Sequence, residues 1–270
     1  MKTRIIVGAV LVPVLLLVVF FLPKVATVIA VSLLSAVGTY ELLYSTGLVR
    51  NIRLVIYSML FSALIPFWSF LGRPYVFELG GILVFFALMF GENLMASGKI
   101  PFSKIAACFV AGLIVPYMFS SLVCIMAQPI GRNLILLPFV LAFCSDTGAY
   151  FTGVFFGKHK MTPNISPKKT WEGFAGGIAV AVLGTFIYVL IQDLCFDLQA
   201  NYLYAVLYGV IGSLTGVFGD LCFSVIKRQT GIKDYGKLFP GHGGVLDRFD
   251  SVIVVAPLVE CLLIVLPVVH

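Results

Sequence analysis

The chain has 270 residues, of which 60% are hydrophobic and only 11% are charged, and its formal net charge at pH 7 is +6. With a mean hydropathy of +1.08, it has too little polar surface for a water-soluble globule. The composition therefore excludes a soluble domain and predicts an all-α, polytopic integral membrane protein.

Apolar segments follow one another along nearly the whole chain, and a helix of about 20 such residues can cross the bilayer core. Nine spans are predicted, over residues 5–22, 25–46, 54–72, 76–97, 104–127, 133–156, 172–192, 202–226 and 249–269. We predict two parts: residues 1–127, a helical scaffold that would also carry any dimer contacts, and residues 128–270, which carry the polar motifs.

Lys and Arg residues are distributed unevenly between the two sides of this arrangement. With a cytoplasmic N-terminus, fifteen of the eighteen fall on the cytoplasmic side, and Lys24, Arg73 and Arg132 fall outside. This bias predicts a multi-pass protein of the cytoplasmic membrane with its polar motifs facing the cytoplasm. The positive charge suits anionic lipid headgroups or a nucleotide, and no nucleic-acid partner is expected.

The N-terminal half contains few candidate functional residues. Glu41, in the second apolar segment, is the exception, because a carboxylate there lies near the membrane interface or is buried against a partner. Its neighbours Tyr40, Tyr44 and Ser45 favour the interface and a structural role. The six cysteines lack CxxC spacing, so neither a disulfide framework nor a zinc site is predicted.

A second group of polar residues begins in the sixth apolar segment. Asp146 lies within that segment, where an acid is a functional candidate, although a cationic partner could also account for it. Gly153 and Gly157, and likewise Gly173 and Gly177, have GxxxG spacing. This spacing favours close helix packing within one subunit over a dimer face.

The run from Ser166 to Thr170 reads as the start of a helix. Ser166 would be the N-cap and Pro167 the first helical residue, with Lys168, Lys169 and Thr170 in the first turn. Free N–H groups and two ammonium groups at such a position favour an anion such as phosphate. The alternative is a pair of lysines that only sets membrane topology.

The stretch from Asp220 to Asp250 holds four of the twelve acidic residues and five of the eighteen basic ones. A helix over residues 218–228 would place Asp220, Ser224 and Lys227 or Arg228 on one face. The stretch is therefore a second candidate site for a charged ligand.

The same stretch then continues into a glycine-rich segment and a further helix. A helix starting near Leu246 would project Asp247 and Asp250 in one direction. The preceding segment, residues 240–244, contains three glycines and allows the backbone to come close to a phosphate.

These motifs resemble the signature of the phosphatidate cytidylyltransferases, also called CDP-diacylglycerol synthases. The resemblance covers the C-terminal half strongly and the N-terminal half only by hydrophobic pattern. The matching positions are Asp146, Ala149, Tyr150, Phe151, Ser166, Pro167, Lys169, Thr170, Trp171, Gly173, Ser224, Ile226, Lys227, Arg228, Lys233, Asp234, Gly236, Phe239, Pro240, His242, Gly243, Gly244, Val245, Asp247, Arg248, Phe249 and Asp250.

The resemblance implies an integral-membrane, Mg²⁺-dependent enzyme that joins CTP and phosphatidic acid to give CDP-diacylglycerol and pyrophosphate. A phosphatidate oxygen would attack the α-phosphorus of CTP in a cavity open to the cytoplasm and to the inner leaflet. Mn²⁺ is expected to substitute for Mg²⁺, four acids could support a second cation, and a homodimer is compatible with the resemblance.

Site roles follow from the resemblance combined with the residue patterns. The expected catalytic residues are Asp220, Lys227, Arg228, His242, Asp247 and Arg248. Substrate binding is expected from Ser166, Lys168, Lys169, Thr170, Ser224, Lys233, Asp234, Gly243 and Gly244, with Lys169 preferred over Lys168. The expected metal ligands are Asp220 and Asp247, with Asp146 and Asp250 as ligands or as groups that orient them.

Two other functions fit parts of the pattern. A CTP-dependent kinase acting on a polyprenol or phytol would share a nucleotide site but would transfer the γ-phosphoryl group, and the full signature argues against it. An ion-coupled transporter would also place acids inside the membrane but is expected to show repeats in both halves. The asymmetry between the halves counts against a transporter.

Overall fold

The structure is a computed structural model that describes residues 13–239, 241 and 243–269. Its long helices are α1 (Lys24–Ser45), α2 (Ile52–Phe70), α3 (Tyr75–Met95), α4 (Phe102–Ala127), α5 (Gly131–Phe156), α6 (Trp171–Phe196), α7 (Tyr202–Gln229) and α8 (Leu246–Val265). A π-helical turn at Leu17–Phe21 precedes α1, and strands β1 (Lys160–Thr162) and β2 (Ser166–Thr170) form an antiparallel hairpin between α5 and α6.

The all-α, multi-pass architecture is confirmed. Within the described part of the chain, seven helices, α1 to α7, are long and apolar enough to cross a membrane. Helix α8 has 20 residues but carries four charged ones, Asp247, Arg248, Asp250 and Glu260, which is more than any of those seven helices. The predicted span 5–22 lies partly outside the described residues, and both the count of nine and the side of the N-terminus stay predictions.

The chain divides into two compact units. Unit 1 comprises Met1–Pro129 and Gln229–Phe249, and unit 2 comprises Ile130–Arg228 and Asp250–His270. The first division falls close to the predicted boundary at residue 127, but the glycine-rich segment groups with the N-terminal helices. The predicted assignment of scaffold and catalytic roles to the two parts of the sequence stays a prediction.

Aromatic stacking and side-chain hydrogen bonds join the helices of unit 1. Phe61 and Phe85 stack with ring centroids 4.4 Å apart, and Phe85 meets Phe109 edge-on at 5.1 Å. The Thr39 hydroxyl of α1 donates to the Ala111 carbonyl at 2.9 Å, within a π-helical turn of α4. Because a π-helical turn disrupts the regular helical ladder, such a carbonyl is open to a partner from another helix. This bond fixes the end of α1 against α4.

Helices α5 and α6 of unit 2 pack closely through glycine. A Cβ on Gly148 would lie 2.6 Å from Val180 Cβ, and one on Gly173 would lie 2.7 Å from the Ala149 carbonyl oxygen. A Cβ on Gly177 would also meet the backbone of α5. The GxxxG glycines of α6 therefore serve packing within one subunit, as their spacing favoured.

The prediction that a helix begins at Ser166 and Pro167 is wrong. These residues form strand β2, whose ends pair with β1 in the register Lys160↔Thr170 and Thr162↔Ser166. Helix α6 instead begins at Trp171, and its N-cap is Thr170, whose hydroxyl accepts from the Gly173 N–H at 3.1 Å. Pairing with β1 keeps the run extended, and a proline is tolerated in an edge strand because no ladder bond is then lost. Lys168 and Lys169 accordingly precede the helix.

Candidate active site

Charged side chains from four elements of unit 2 form what we call the acid–lysine cluster. Its members are Asp146 of α5, Lys169 of β2, Asp220 and Lys227 of α7, and Asp250 of α8. The cluster brings together residues that the sequence assigned separately to metal, substrate and catalysis.

Lys169 and Asp220 form the central ion pair of this cluster, joining Nζ to Oδ2. Both side chains are shielded, with 21% and 23% of their surfaces exposed, whereas Lys168 is exposed. Ser224 lies one turn along α7 and its hydroxyl donates to the other oxygen of Asp220 at 3.4 Å. The predicted shared face of this helix is therefore confirmed for Asp220 and Ser224.

Asp250 adds a second negative charge close to the ion pair. Its half-buried carboxylate interacts electrostatically with Asp220, Asp146 and Lys227, and it accepts the Ser251 N–H at 2.8 Å. Carboxylates near one another repel unless cations compensate them. The cluster thus holds three acids against two lysines and suits a further positive charge.

A cavity of about 160 Å³ opens beside the cluster. Its polar lining comes from Asp146, Lys168, Lys169 and Thr170, and its apolar lining includes Ala149, Tyr150, Met161, Phe174 and Val217. The cavity therefore has charged groups next to an apolar surface.

Hydrogen bonds tie the β-hairpin that carries Lys169, and the two residues just before it, to α6 and α7. Glu172 accepts the N–H groups of Lys158 and His159 at 3.1 and 3.2 Å, and it contacts His159 Nδ1 at 2.6 Å. Arg228 Nε donates to the Ile165 carbonyl at 3.1 Å. Arg228, predicted to be catalytic, therefore ties the end of α7 to the hairpin turn. No sequence pattern predicted His159 and Glu172 as partners.

In unit 1, Asp247 organises the glycine-rich segment. Its Oδ2 accepts the Tyr235 N–H at 2.7 Å and the Gly244 N–H at 2.9 Å, and only 9% of the residue is exposed. Gly243 adopts φ +87°, which L side chains rarely adopt, and a Cβ there would lie 2.6 Å from Asp247 Oδ2. The prediction that α8 starts near Leu246 is confirmed.

Glu41 also contacts the glycine-rich segment of unit 1, and the sequence analysis did not predict this contact. It is 3% exposed, and its two carboxylate oxygens accept the Val245 and Leu246 N–H groups at 2.9 and 3.0 Å. Of the two expectations for this residue, burial against a partner is the one observed. Tyr40 and Tyr44 stack on each other at the surface, whereas the π-helical turn that begins at Glu41 directs its carboxylate inward.

The other predicted site residues are not members of the acid–lysine cluster. Lys233, Asp234 and Arg248 are exposed in unit 1, and Ser166 is half-buried on β2. Thr170 is buried and its hydroxyl caps α6. His242 lies outside the described residues, and the individual site roles stay predictions.

The donor atoms suit Mg²⁺, which takes oxygen ligands and is usually bound through one or two carboxylates together with substrate phosphates. Asp220 and Asp250 supply such carboxylates in unit 2. Within the described residues, however, no three His, Cys, Asp or Glu side chains are grouped closely enough to hold a metal ion by themselves.

Comparison with known proteins decides the family. The model of the Cytidylyltransferase family matches residues 2–266. The chain belongs to this family. The resemblance drawn from the motifs is thereby confirmed, and the match extends through the N-terminal half, where the sequence showed only a hydrophobic pattern.

Curated relatives within the family agree with one another in name. The phosphatidate cytidylyltransferase of Bacillus subtilis (strain 168) is 33% identical over 271 residues, which cover 97% of each chain. That of Staphylococcus epidermidis (strain ATCC 12228 / FDA PCI 1200) is 36% identical over 193 residues, 70% of each chain. That of Haemophilus influenzae (strain ATCC 51907 / DSM 11121 / KW20 / Rd) is 41% identical over 127 residues, 47% of this chain and 44% of its own.

Proposed function

We propose that the protein is a phosphatidate cytidylyltransferase, a nucleotidyltransferase that acts in phospholipid biosynthesis. It transfers the CMP group of CTP to phosphatidate, giving CDP-diacylglycerol and releasing pyrophosphate. The observation that carries this proposal is the likeness, over 97% of the chain, to the phosphatidate cytidylyltransferase of Bacillus subtilis (strain 168), together with the family match over residues 2–266. The acid–lysine cluster supplies the charged groups that the reaction needs.

The chemistry is a displacement at phosphorus. An oxygen of the phosphatidate phosphate forms a bond to the α-phosphorus of CTP, and the bond from that phosphorus to the bridging oxygen of pyrophosphate breaks. Because the attacking oxygen is already anionic, no strong general base is needed. Catalysis consists mainly of alignment and neutralisation of negative charge.

Lys169 and Lys227 are the residues of the cluster that would contact phosphate oxygens. Asp220 and Ser224 hold the Lys169 ammonium and its surroundings in place before substrate binds. Fixed charges of this kind need little rearrangement during the reaction, which is the main source of electrostatic stabilisation in enzymes. When bound, Mg²⁺ would supply further charge neutralisation at the phosphates, and Asp220 and Asp250 are the residues that would hold it.

The cavity beside Lys169 suits a substrate with one charged and one apolar end. Lys168, Lys169 and Asp146 line its polar part, and Tyr150 and Phe174 contribute to its apolar part. A phosphatidate headgroup could enter here while its acyl chains stay in lipid. CTP would reach the cluster from water.

We also propose that the protein resides in the cytoplasmic membrane with its active site on the cytoplasmic side. The excess of Lys and Arg in the predicted cytoplasmic segments supports this orientation. A homodimer remains a proposal that rests on the family resemblance.

Pyrophosphate release from purified protein in detergent tests the proposed function. We expect release from CTP that requires both phosphatidate and Mg²⁺, and no release when a polyprenol replaces phosphatidate. Formation of CDP with a polyprenol would identify a kinase instead. Absence of any CTP turnover with either lipid would contradict the proposal.

A further inference from the structure

A carboxylate from the N-terminal part of the chain caps the helix that follows the glycine-rich segment. Glu41 Oε1 accepts the Val245 N–H at 2.9 Å and Oε2 accepts the Leu246 N–H at 3.0 Å. Leu246 is the first residue of α8. The first N–H groups of a helix have no partner within the helix, so a carboxylate placed there is favoured by hydrogen bonding and by the helix dipole.

The backbone of the glycine-rich segment is shaped around this carboxylate. A Cβ on either Gly236 or Gly244 would run into the carboxylate of Glu41, reaching 2.9 Å from Cδ at Gly236 and 2.5 Å from Oε2 at Gly244. The Cβ of Gly236 would also lie 3.1 Å from Gly244 Cα. The backbone at Gly236 and the backbone at Gly244 therefore both pack against the Glu41 carboxylate. Glycine is needed at both positions because any Cβ would clash with that carboxylate.

Glu41 and Asp247 together satisfy consecutive N–H groups of one turn. Asp247 accepts from Gly244, and Glu41 accepts from Val245 and Leu246. Both acids are buried, with 3% of Glu41 and 9% of Asp247 exposed. Charge-assisted hydrogen bonds in a shielded setting are stronger than neutral ones, so this turn has little freedom to change conformation.

We propose that Glu41 is a positioning residue for cytidylyl transfer. It fixes the backbone from Gly243 to Asp247. That backbone in turn orients the Asp247 side chain and the glycines in the conformation that binds substrate phosphate. Glu41 does not itself contact substrate in this proposal. The inference rests on the proposed function of the protein and adds to it a residue from outside the signature motifs.

The first test is the steady-state kinetics of Glu41→Gln with CTP and phosphatidate. Glutamine keeps one carbonyl oxygen but turns an NH₂ group toward a backbone N–H, so one of the two capping bonds is lost. We expect kcat/KM for CTP to fall about tenfold or more, the change that corresponds to one lost charge-assisted hydrogen bond. The matched control is Glu92→Gln in the same unit, whose carboxylate is paired with the exposed Arg53 at 3.5 Å and which should behave like wild type.

The readout must separate positioning from stability. Kinetic constants are therefore expressed per folded enzyme, with the folded fraction taken from thermal unfolding in the same detergent. A purely structural role would lower Tm and leave kcat and both KM values unchanged, which would overturn the inference. A fall in kcat/KM for the folded enzyme supports it.

A double-mutant cycle gives a second route that tolerates loss of stability. Gly236→Ala drives a methyl group into the Glu41 carboxylate, and Glu41→Ala removes that obstacle. If both changes act through one contact, the double variant should lose no more kcat/KM than Glu41→Ala alone. Losses that multiply would show independent effects and contradict the proposal.

Wild-type enzyme measured in the same assay separates the two claims. If wild type forms no CDP-diacylglycerol, the proposed function fails. If wild type is active and Glu41→Gln matches it in every constant, the positioning role alone fails.

Discussion

Lys168 and Lys169 are neighbours in sequence with different surroundings. Lys169 is paired with Asp220 and largely shielded, whereas Lys168 is exposed. We expect Lys169→Ala to lower kcat/KM by about tenfold or more, because a charged contact to a phosphate oxygen is lost from a shielded site. Lys168→Ala, the control, should lower it far less.

Kinetics with CTP and phosphatidate varied in turn would measure this difference and show which substrate depends on Lys169. Equal effects of the two substitutions would indicate that the two lysines only set membrane topology, which is the alternative interpretation of the sequence.

Asp220 is the acid for which a metal role is most directly testable. Asp220→Asn keeps the shape of the side chain but removes the charge that faces Lys169. We expect activity at limiting Mg²⁺ to fall about tenfold or more and to recover in part at high Mg²⁺ or with Mn²⁺. Glu260→Gln on α8 should retain far more activity.

Measuring kcat as a function of Mg²⁺ concentration checks this prediction, and Asp247→Asn is measured in the same way as a second variant. If Asp220→Asn and Asp247→Asn both turn over CTP at near wild-type rates at limiting Mg²⁺, the metal assignment is wrong. The acids would then serve only as partners for neighbouring groups.

Some residue contacts could not have been predicted from the sequence. Glu41 is 204 positions from Val245, and no local pattern links a carboxylate in an apolar span to a glycine-rich segment that far away. By contrast, Asp220 and Ser224 lie at helical spacing, so their contact follows from periodicity alone. Local geometry is readable from sequence, and tertiary partners are not.

At the scale of elements, the long helices were predictable and the hairpin was not. Apolar segments and helical spacing placed α7 and the start of α8 correctly. Ser166-Pro167, however, is equally compatible with a helix start and with an edge strand. The partner strand β1 has only three residues, too few to show alternation. Pairing with a short strand decided the outcome.

A glycine at the contact between α5 and α6 and a glycine in open space on α3 should respond in opposite ways to substitution by alanine. Gly148→Ala would place a methyl group 2.6 Å from Val180 Cβ and 2.8 Å from the Gly176 carbonyl oxygen. We expect a loss of stability of about 1–3 kcal/mol from this overpacking. Gly80→Ala in α3 meets no atom within 4 Å, so it should be neutral or stabilising by up to about 1 kcal/mol.

Thermal unfolding of both variants in the same detergent checks this prediction. A Gly148→Ala protein as stable as wild type would contradict the close contact between α5 and α6.

At the scale of the whole molecule, composition predicted the multi-pass helical architecture. It could not place the glycine-rich segment, which follows α7 in sequence but groups with the N-terminal helices. Hydropathy records which residues avoid water but not which helices they pack against. The grouping therefore had to come from the structure.

Membrane orientation gives a prediction at the same scale. In a background with the six native cysteines replaced by serine, we expect Lys237→Cys to react with an impermeant thiol reagent only from the cytoplasmic side. Gln199→Cys should react only from outside, and both positions are exposed. The expectation rests on the positive-inside bias. Labelling of intact cells and of inverted vesicles compares the two sides, and the reverse pattern would overturn the proposed orientation.

The most direct test of the central claim follows the fate of each CTP phosphate. Purified protein is incubated with phosphatidate, Mg²⁺ and CTP carrying ³²P at the α or the γ position, and the extracted lipid is counted. Cytidylyl transfer predicts label in the lipid from the α position and none from the γ position. Label from γ alone, or from neither position, would contradict it.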